Sequence, residues 1–81
     1  MNRETFVLSL ARGIINGDVS AEDVLKCGTI VTELFGKERL KRVPYPYLVE
    51  AVYAYAAHDI SNLMQILKFA MQHTEEPRGS L

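Results

Sequence analysis

The chain has 81 residues, of which 48 % are hydrophobic, and its formal net charge is −1. This length supports one domain rather than two, and a hydrophobic fraction this high excludes an intrinsically disordered chain. Cys27 is the only cysteine, which excludes an intramolecular disulfide, so the fold needs no oxidising compartment.

The charges are unevenly distributed. Residues 37–42 carry four basic and one acidic side chain, a net charge of +3, whereas residues 1–36 and residues 43–81 each have a net charge of −2. The N-terminus lacks the layout of a signal peptide, because Arg12 interrupts its apolar run. The most apolar window, residues 51–67, contains polar residues and is shorter than the ~20 residues of a membrane span. We expect a soluble, cytoplasmic protein.

The first predicted helix covers residues 3–16. It begins after Asn2, a favourable N-cap residue, and ends at Gly17, which can adopt the left-handed conformation that often follows a helix. Five apolar residues recur at helical spacing and are expected to face the core. These residues are Phe6, Val7, Leu10, Ala11 and Ile14.

The second predicted helix covers residues 21–35. Ser20 and Asp23 have the spacing of a capping box at its start. Gly28 lies inside this helix, where glycine is unfavourable, and it is interpreted as the site of a close helix crossing. The link from the first helix has only about three to four residues, which predicts an antiparallel hairpin. The expected inward stripe is Val24, Cys27, Ile30, Val31, Leu34 and Phe35.

The basic segment, which we define as residues 37–42, is followed by two X-Pro pairs. The segment can add one further helical turn after the second helix. Because the residue before a proline avoids the helical region, Val43 and Tyr45 are expected to interrupt the helical path. Pro46 is expected to be the first residue of the next helix.

Residues 47–73 contain neither glycine nor proline, so a single long helix is one interpretation. The apolar stripe changes direction by about a quarter turn, however, which favours two helices. Asp59 lies at the change and can cap the later helix. We predict helices over residues 46–57 and 60–73 and a flexible polar tail over residues 74–81. The two faces are Leu48, Val52 and Tyr55, and then Ile60, Leu63, Met64, Leu67 and Met71.

The sequence therefore predicts an all-α fold: a small four-helix domain over residues 1–73, built from two antiparallel helical hairpins. The basic segment joins the hairpins.

No catalytic or metal-binding constellation is recognisable. Cys27 lies on the apolar stripe of the second helix, which is typical of a buried structural cysteine rather than a nucleophile. His58 and His73 lack further ligands at metal-site spacing. Glu22 and Asp23 lie in the first turn of a helix, where acidic residues are favoured without any catalytic role. We expect a protein that is not an enzyme and that has no cofactor or metal.

Basic and aromatic residues in the middle of the chain are the candidates for partner binding. Positive charge combined with flat rings can contact phosphates, bases or an acidic protein surface. Tyr53 is included because the third predicted helix is rich in Ala and Tyr, which suits packing against another helix, within the fold or from a second copy. The candidates are Lys37, Arg39, Lys41, Arg42, Tyr45, Tyr47 and Tyr53.

The predicted function is that of a non-enzymatic protein-interaction module: an adaptor, inhibitor, chaperone or regulator that binds another protein, with homodimerisation as a companion hypothesis. No membrane partner is expected. The alternative is a helix-turn-helix-like nucleic-acid-binding regulator that uses residues 37–42. Against this alternative, the second helix opens with Glu22 and Asp23, which would repel phosphates.

Overall fold

Five α-helices make up the described part of the molecule. The structure is a computed structural model, and it describes residues 1–74. No strand occurs among these residues, and the predicted all-α class is confirmed. The short third helix is the extra turn that the basic segment was expected to add. The helices are α1 (Arg3–Asn16), α2 (Ala21–Phe35), α3 (Lys37–Leu40), α4 (Tyr45–Ala56) and α5 (Ile60–His73).

Side chains cap the starts of α1, α2 and α5, as the sequence predicts. The Asn2 and Asp59 side chains each accept a hydrogen bond from the amide of the third helical residue, at 2.8 and 3.2 Å. At α2, the Ser20 hydroxyl accepts from the Asp23 amide at 3.0 Å, and the Asp23 carboxylate accepts from the Ser20 amide at 3.3 Å. These bonds satisfy amides that have no partner inside the helix. The helix starts are therefore set by local side-chain chemistry.

The predicted break between α4 and α5 is confirmed. The Asp59 amide donates to the Ala54 carbonyl at 3.0 Å and the His58 amide donates to the Tyr55 carbonyl at 3.1 Å, which are the two bonds of a Schellman motif. His58 has a φ of 59°, in the left-handed region. The end of α1 has the same arrangement, with Gly17 at a φ of 81°. Each of these turns thus depends on one left-handed residue.

The start of α4 differs from the prediction by one residue. α4 begins at Tyr45, and Pro44 is its extended N-cap residue. Pro46 is then the second helical residue, where a missing N–H is tolerated because the first amides of a helix have no internal partner. The bias against helix before a proline is a preference, and the packing of Tyr45 against Phe6 offsets it here.

α4 is the central helix of the fold. It contacts α1, α2 and α5, and its contact with α5 is the most extensive. Glu50 is the only charged residue of α4, so most of its sides can pack against other helices. α1 and α2 pack on α4 rather than closely on each other. An opening is therefore left between α1 and α2.

The core draws on all the long helices and on both the α1–α2 and α3–α4 links. The core contains some residues of each predicted apolar stripe, including Leu10, Cys27 and Leu63, so the prediction is confirmed at these positions. The buried hydrophobic residues are Leu10, Val19, Cys27, Val31, Phe35, Val43, Ala51, Val52, Ala54, Leu63, Ile66 and Ala70.

Several residues of the predicted stripes lie on the surface instead. Val7 and Ile14 of α1 are exposed, as are Ile30 and Leu34 of α2. In α5, Ile60 and Met64 are exposed, while Ile66 and Ala70 fill the core. The predicted stripes are wrong at these positions because each outer helix packs on α4 through a narrow face. The remaining apolar positions have no helix opposite them.

The close helix crossing occurs at Gly13 rather than at Gly28. A Cβ on Gly13 would lie 2.6 Å from the Tyr53 Oη and 2.9 Å from a Val19 methyl carbon, so any side chain there would force these groups to shift. A Cβ on Gly28 would meet no atom within 4 Å, and Gly28 is exposed. The interpretation of Gly28 as a crossing point is therefore wrong.

Thr74 is the last described residue. It belongs to the segment that the sequence assigns to the tail, but it is buried and lies at the C-cap of α5. The rest of the predicted tail, residues 75–81, lies outside the described residues. Among residues 1–74, no helix has the length and hydropathy required to cross a membrane.

Candidate functional site

Arg39, from the predicted basic surface, ties α3 to the end of α5. Its Nε donates to the Thr74 Oγ1 at 2.9 Å, and one terminal nitrogen donates to the Met71 carbonyl at 3.2 Å. The Thr74 hydroxyl donates to the same carbonyl at 3.0 Å. A guanidinium in this position satisfies a carbonyl at the end of the helix and complements the negative end of its dipole. Arg39 therefore has a clear structural role.

The other cations of the basic segment are exposed. The Lys41 Nζ lies 3.6 Å from a Glu38 carboxylate oxygen, in a pair that is mostly in solvent. Exposed pairs of this kind contribute little to stability. Lys37 and Arg42 lie at the two ends of the same segment. The role of these cations in binding a partner stays a prediction.

The three candidate tyrosines are half-buried and pack within the fold. The Tyr45 ring stacks on Phe6 of α1, with ring centroids 5.0 Å apart, and the Tyr47 ring meets His73 of α5 at 5.9 Å. The Tyr53 hydroxyl donates to a main-chain carbonyl of α1 at 3.3 Å. The rings thus contact two different helices, and the structure does not bring them together as one stacking platform. Their role in partner binding also stays a prediction.

The helix-turn-helix alternative requires the start of α2 to approach phosphates and bases. Asp23 is engaged in the capping box, and Glu22 forms an ion pair with Lys26 at 2.8 Å. The hydrogen bond from Lys26 to Glu22 raises the pKa of Lys26, so this lysine stays charged but paired. Two carboxylates at the leading end of a reading helix oppose DNA binding. The alternative is not favoured by this geometry.

An apolar cleft opens between α1 and α2, over α4. Its volume is about 200 Å³. Cys27, Val31 and Val52 lie buried in its wall, whereas Gly28 and Thr32 are exposed and lie at its mouth. The cleft exists because α1 and α2 both pack on α4 without closing on each other. It is lined by Phe6, Leu10, Val24, Cys27, Gly28, Val31, Thr32, Leu40, Leu48 and Val52.

The lining of the cleft has no charged side chain. The Thr32 hydroxyl donates to the Gly28 carbonyl at 2.7 Å, so it is already satisfied within α2. Burial raises the pKa of the Cys27 thiol, which keeps it protonated and weakly nucleophilic at neutral pH. The cleft therefore suits an apolar, uncharged occupant, because a charged group would lose its hydration there without a partner.

A second apolar surface lies on the outer side of α1. At 100° per residue, its residues lie within about 120° of the helix circumference, which places them on one side of α1. Val7 and Ile14 border the side that holds the buried Leu10 and Gly13, whereas Leu8 and Ile15 lie farther around the helix. We name it the α1 stripe, and it consists of Val7, Leu8, Ala11, Ile14 and Ile15.

The sequence patterns do not predict the cleft, because they assign most of its residues to a closed core. Gly28 is the sequence feature that could have indicated the cleft. Because glycine has no side chain, a glycine on the edge of an apolar stripe leaves a gap on the helix surface, and that gap stays open unless another helix fills it. Whether α1 fills it depends on the angle between α1 and α2, which no local pattern encodes.

Comparisons with known proteins give no match for this chain: no family model, no curated protein and no solved structure is significantly similar to it. Within residues 1–74, no group of three or more His, Cys, Asp or Glu side chains is placed to hold a metal ion.

Proposed function

We propose that this protein is a small helical module that binds another protein and acts by binding rather than by catalysis. The apolar cleft between α1 and α2 carries this proposal, because its lining has no charged side chain and opens at the surface. Well-packed apolar pockets commonly receive the anchor side chains of protein partners. The proposed occupant is one large apolar side chain, such as Leu, Phe or Met, from the partner.

The size of the cleft supports a side chain rather than a metabolite as the occupant. Small-molecule sites commonly enclose about 300–1,000 Å³ and contain several convergent polar groups. This cleft has about 200 Å³. A cavity of about 150 Å³ is known to hold a benzene-sized group, so one aromatic ring or branched aliphatic group fits.

The position of the cleft supports a helical segment as the source of that side chain. The cleft lies between two helices, and an amphipathic helix can lie in such a groove with its apolar residues directed inward. Leu25 is 72 % exposed and lies three residues from Gly28 on α2, on an outer surface that it shares with Gly28 and Thr32. It would contact apolar residues that flank the anchor.

Gly28→Met tests the proposal. A Cβ at Gly28 meets no atom within 4 Å and Gly28 lines the cleft, so this position accepts a side chain, and methionine is chosen to fill the cleft. We expect partner affinity to fall at least ~10-fold, as for the loss of an interface anchor. We also expect the melting temperature to rise, because a glycine inside a helix is replaced by a good helix former. The rise in melting temperature would show that the loss of binding is not caused by unfolding.

The measurement uses partners recovered by pull-down from the native host, identified, purified and titrated by calorimetry against each variant. Gly28→Ala is the matched control, since it removes the same glycine but leaves most of the cleft open. Equal affinity of the wild type and Gly28→Met would overturn the proposal. A nucleic-acid partner whose binding falls steeply with salt and is lost in Lys41→Glu would support the helix-turn-helix alternative instead.

A further inference from the structure

The α1 stripe leaves four large aliphatic side chains exposed to water, which is energetically unfavourable. The exposed fractions are 54 % for Val7, 57 % for Leu8, 41 % for Ile14 and 82 % for Ile15. Leu8, Ala11 and Ile15 have the three- and four-residue spacing of a coiled-coil seam, and Glu4 continues it toward the N-terminus. At 100° per residue, the seam lies roughly 140° around α1 from Leu10, which packs in the core.

We propose that the α1 stripe is a homodimer interface, in which α1 packs antiparallel against α1 of a second copy. This proposal stands apart from the cleft, because Leu8, Ala11 and Ile15 of the seam are not among the residues that line the cleft. It also replaces the Ala/Tyr side of α4 as the candidate dimer surface, since Ala51 and Ala54 are buried in the fold.

The area of the stripe matches the requirement of a stable dimer. Its four exposed aliphatic side chains present roughly 400–500 Å² of apolar surface, and about 60 % of a typical interface is apolar. With polar surface in that proportion, the contact would cover up to about 750 Å² per copy, against the ~800 Å² of a standard interface. Dissociation constants of interfaces of this size range from micromolar to picomolar, because area alone does not set the affinity.

The shape of the stripe is self-complementary, as a two-fold interface requires. When the two-fold axis of the dimer crosses the seam midway between Leu8 and Ala11, each Leu8 packs on the small Ala11 of the second copy. Large and small side chains thus alternate across the seam, which allows the helices to approach closely.

The charges at the two ends of the stripe select the antiparallel direction. The same axis places Glu4 opposite Ile15 of the second copy and about one helical turn from its Arg12. A parallel pair would instead place Glu4 against Glu4 of the second copy. Opposite charges beside a seam contribute modest energy, but they decide orientation and partner choice.

Sedimentation equilibrium over about 1 µM to 1 mM tests the dimer, since any dissociation constant below about 1 mM gives a substantial fraction of dimer at the highest concentration. We expect the wild type to dimerise and Leu8→Glu to weaken dimerisation at least ~10-fold, because it places a charge in an apolar seam. Phe69→Glu is the matched control: Phe69 is 56 % exposed on α5, so dimerisation should not change. A wild type that stays monomeric, or equal effects of Leu8→Glu and Phe69→Glu, would overturn the proposal.

Charge exchange tests the antiparallel direction. Glu4→Arg and Arg12→Glu should each weaken dimerisation, and the double variant should restore it to within about two-fold, since opposite charges are again adjacent. Failure of the double variant to recover would contradict the antiparallel arrangement.

Gly28→Met should dimerise as the wild type does, and Leu8→Glu should still bind a cleft partner. The failure of one proposal is therefore distinguishable from the failure of the other.

Discussion

The hydroxyl of Tyr53 lies so close to Gly13 that the first carbon of a side chain at this position would clash with it. A Cβ on Gly13 would be 2.6 Å from the Tyr53 Oη, and this hydroxyl donates to the Ser9 carbonyl at 3.3 Å. The central helix thus holds α1 through an aromatic side chain that fits against a glycine. Because the side of α1 that contains Gly13 is fixed on α4, Leu10 lies at the border of the cleft. The α1 stripe remains exposed to solvent.

The first prediction compares the same substitution at two helical glycines. Gly13→Ala should destabilise the protein by about 1–2 kcal/mol, because the cost of overpacking exceeds the gain in helix propensity. Gly28→Ala should stabilise it by about 0.5–1 kcal/mol, because the new methyl group meets nothing. Urea unfolding measures both changes. Equal stabilisation by the two substitutions would contradict the close crossing at Gly13.

Tyr53→Phe provides the control for that prediction. Removing the hydroxyl should cost about 0.5–1.5 kcal/mol through loss of the hydrogen bond to α1. The same change removes the closest atom to the new methyl group, so Gly13→Ala should be less destabilising in the Tyr53→Phe background. The expected coupling between the two sites is about 0.5–1 kcal/mol. Independent effects of the two substitutions would mean that Tyr53 is not the neighbour that excludes a side chain.

The second prediction concerns the attachment of α3 to α5. A double-mutant cycle with Arg39→Ala and Thr74→Val should give a coupling of about 0.5–2 kcal/mol, because the two side chains share a partly buried hydrogen bond. Lys41→Ala is the control within the same segment and should change stability by less than about 0.5 kcal/mol, since its ion pair is exposed. Additive effects of Arg39→Ala and Thr74→Val would contradict the bond.

The third prediction compares glycine substitutions at neighbouring positions of the α4–α5 turn. His58→Gly should stabilise the protein by about 0.5 kcal/mol, because glycine adopts a positive φ without the steric cost of a side chain. Ala57→Gly should destabilise it by about 0.5–1 kcal/mol, since Ala57 has a negative φ of −79°, which a side chain tolerates, and glycine only adds freedom to the unfolded chain. Thermal unfolding of both variants decides the matter, and two losses of equal size would contradict the left-handed assignment of His58.

The sequence identifies the helix ends because their chemistry is local. Ser20 and Asp23 complete their capping box within four residues, and Asp59 caps α5 at the point where the apolar stripe changes direction. The start of α4 was misplaced by one residue because Tyr45 is held by a contact with Phe6, far away in the chain. Local signals thus give the elements, and long-range packing adjusts their limits.

The buried sides of the outer helices are harder to predict. α1 is apolar over two neighbouring sides, and periodicity cannot tell which one meets α4: Leu10 is buried, whereas Val7 and Ile14 are exposed. The contacts of the candidate site residues are difficult to predict for the same reason. The charge of Arg39 predicts a place in a binding surface, and no local pattern indicates its hydrogen bond to Thr74, which is 35 residues away. The cleft is lined by residues of four helices, α1 to α4, and no single segment encodes the spacing of these helices.

The fourth prediction concerns the thiol of Cys27, which is 2 % exposed in the wall of the cleft. Folded protein should react with Ellman's reagent at least ~100-fold more slowly than unfolded protein, because a buried, protonated thiol is a poor nucleophile. Leu25→Cys in a Cys27→Ala background is the matched control and should react fast, since position 25 is exposed. Fast reaction of the wild-type thiol would mean that the cleft admits a charged reagent, which contradicts its apolar character.

The raised pKa of the Cys27 thiol also gives a pH dependence of stability. In the unfolded chain the thiol ionises as the pH rises through about 8.5, whereas burial keeps it neutral in the folded protein. Above that pH the unfolded state is therefore favoured by ionisation, and the contribution of Cys27 to stability declines. Urea unfolding at pH 7 and at about pH 9.5 should show the wild type losing stability relative to Cys27→Ala. A constant difference between the two proteins would contradict a buried thiol, because an exposed one ionises equally in both states.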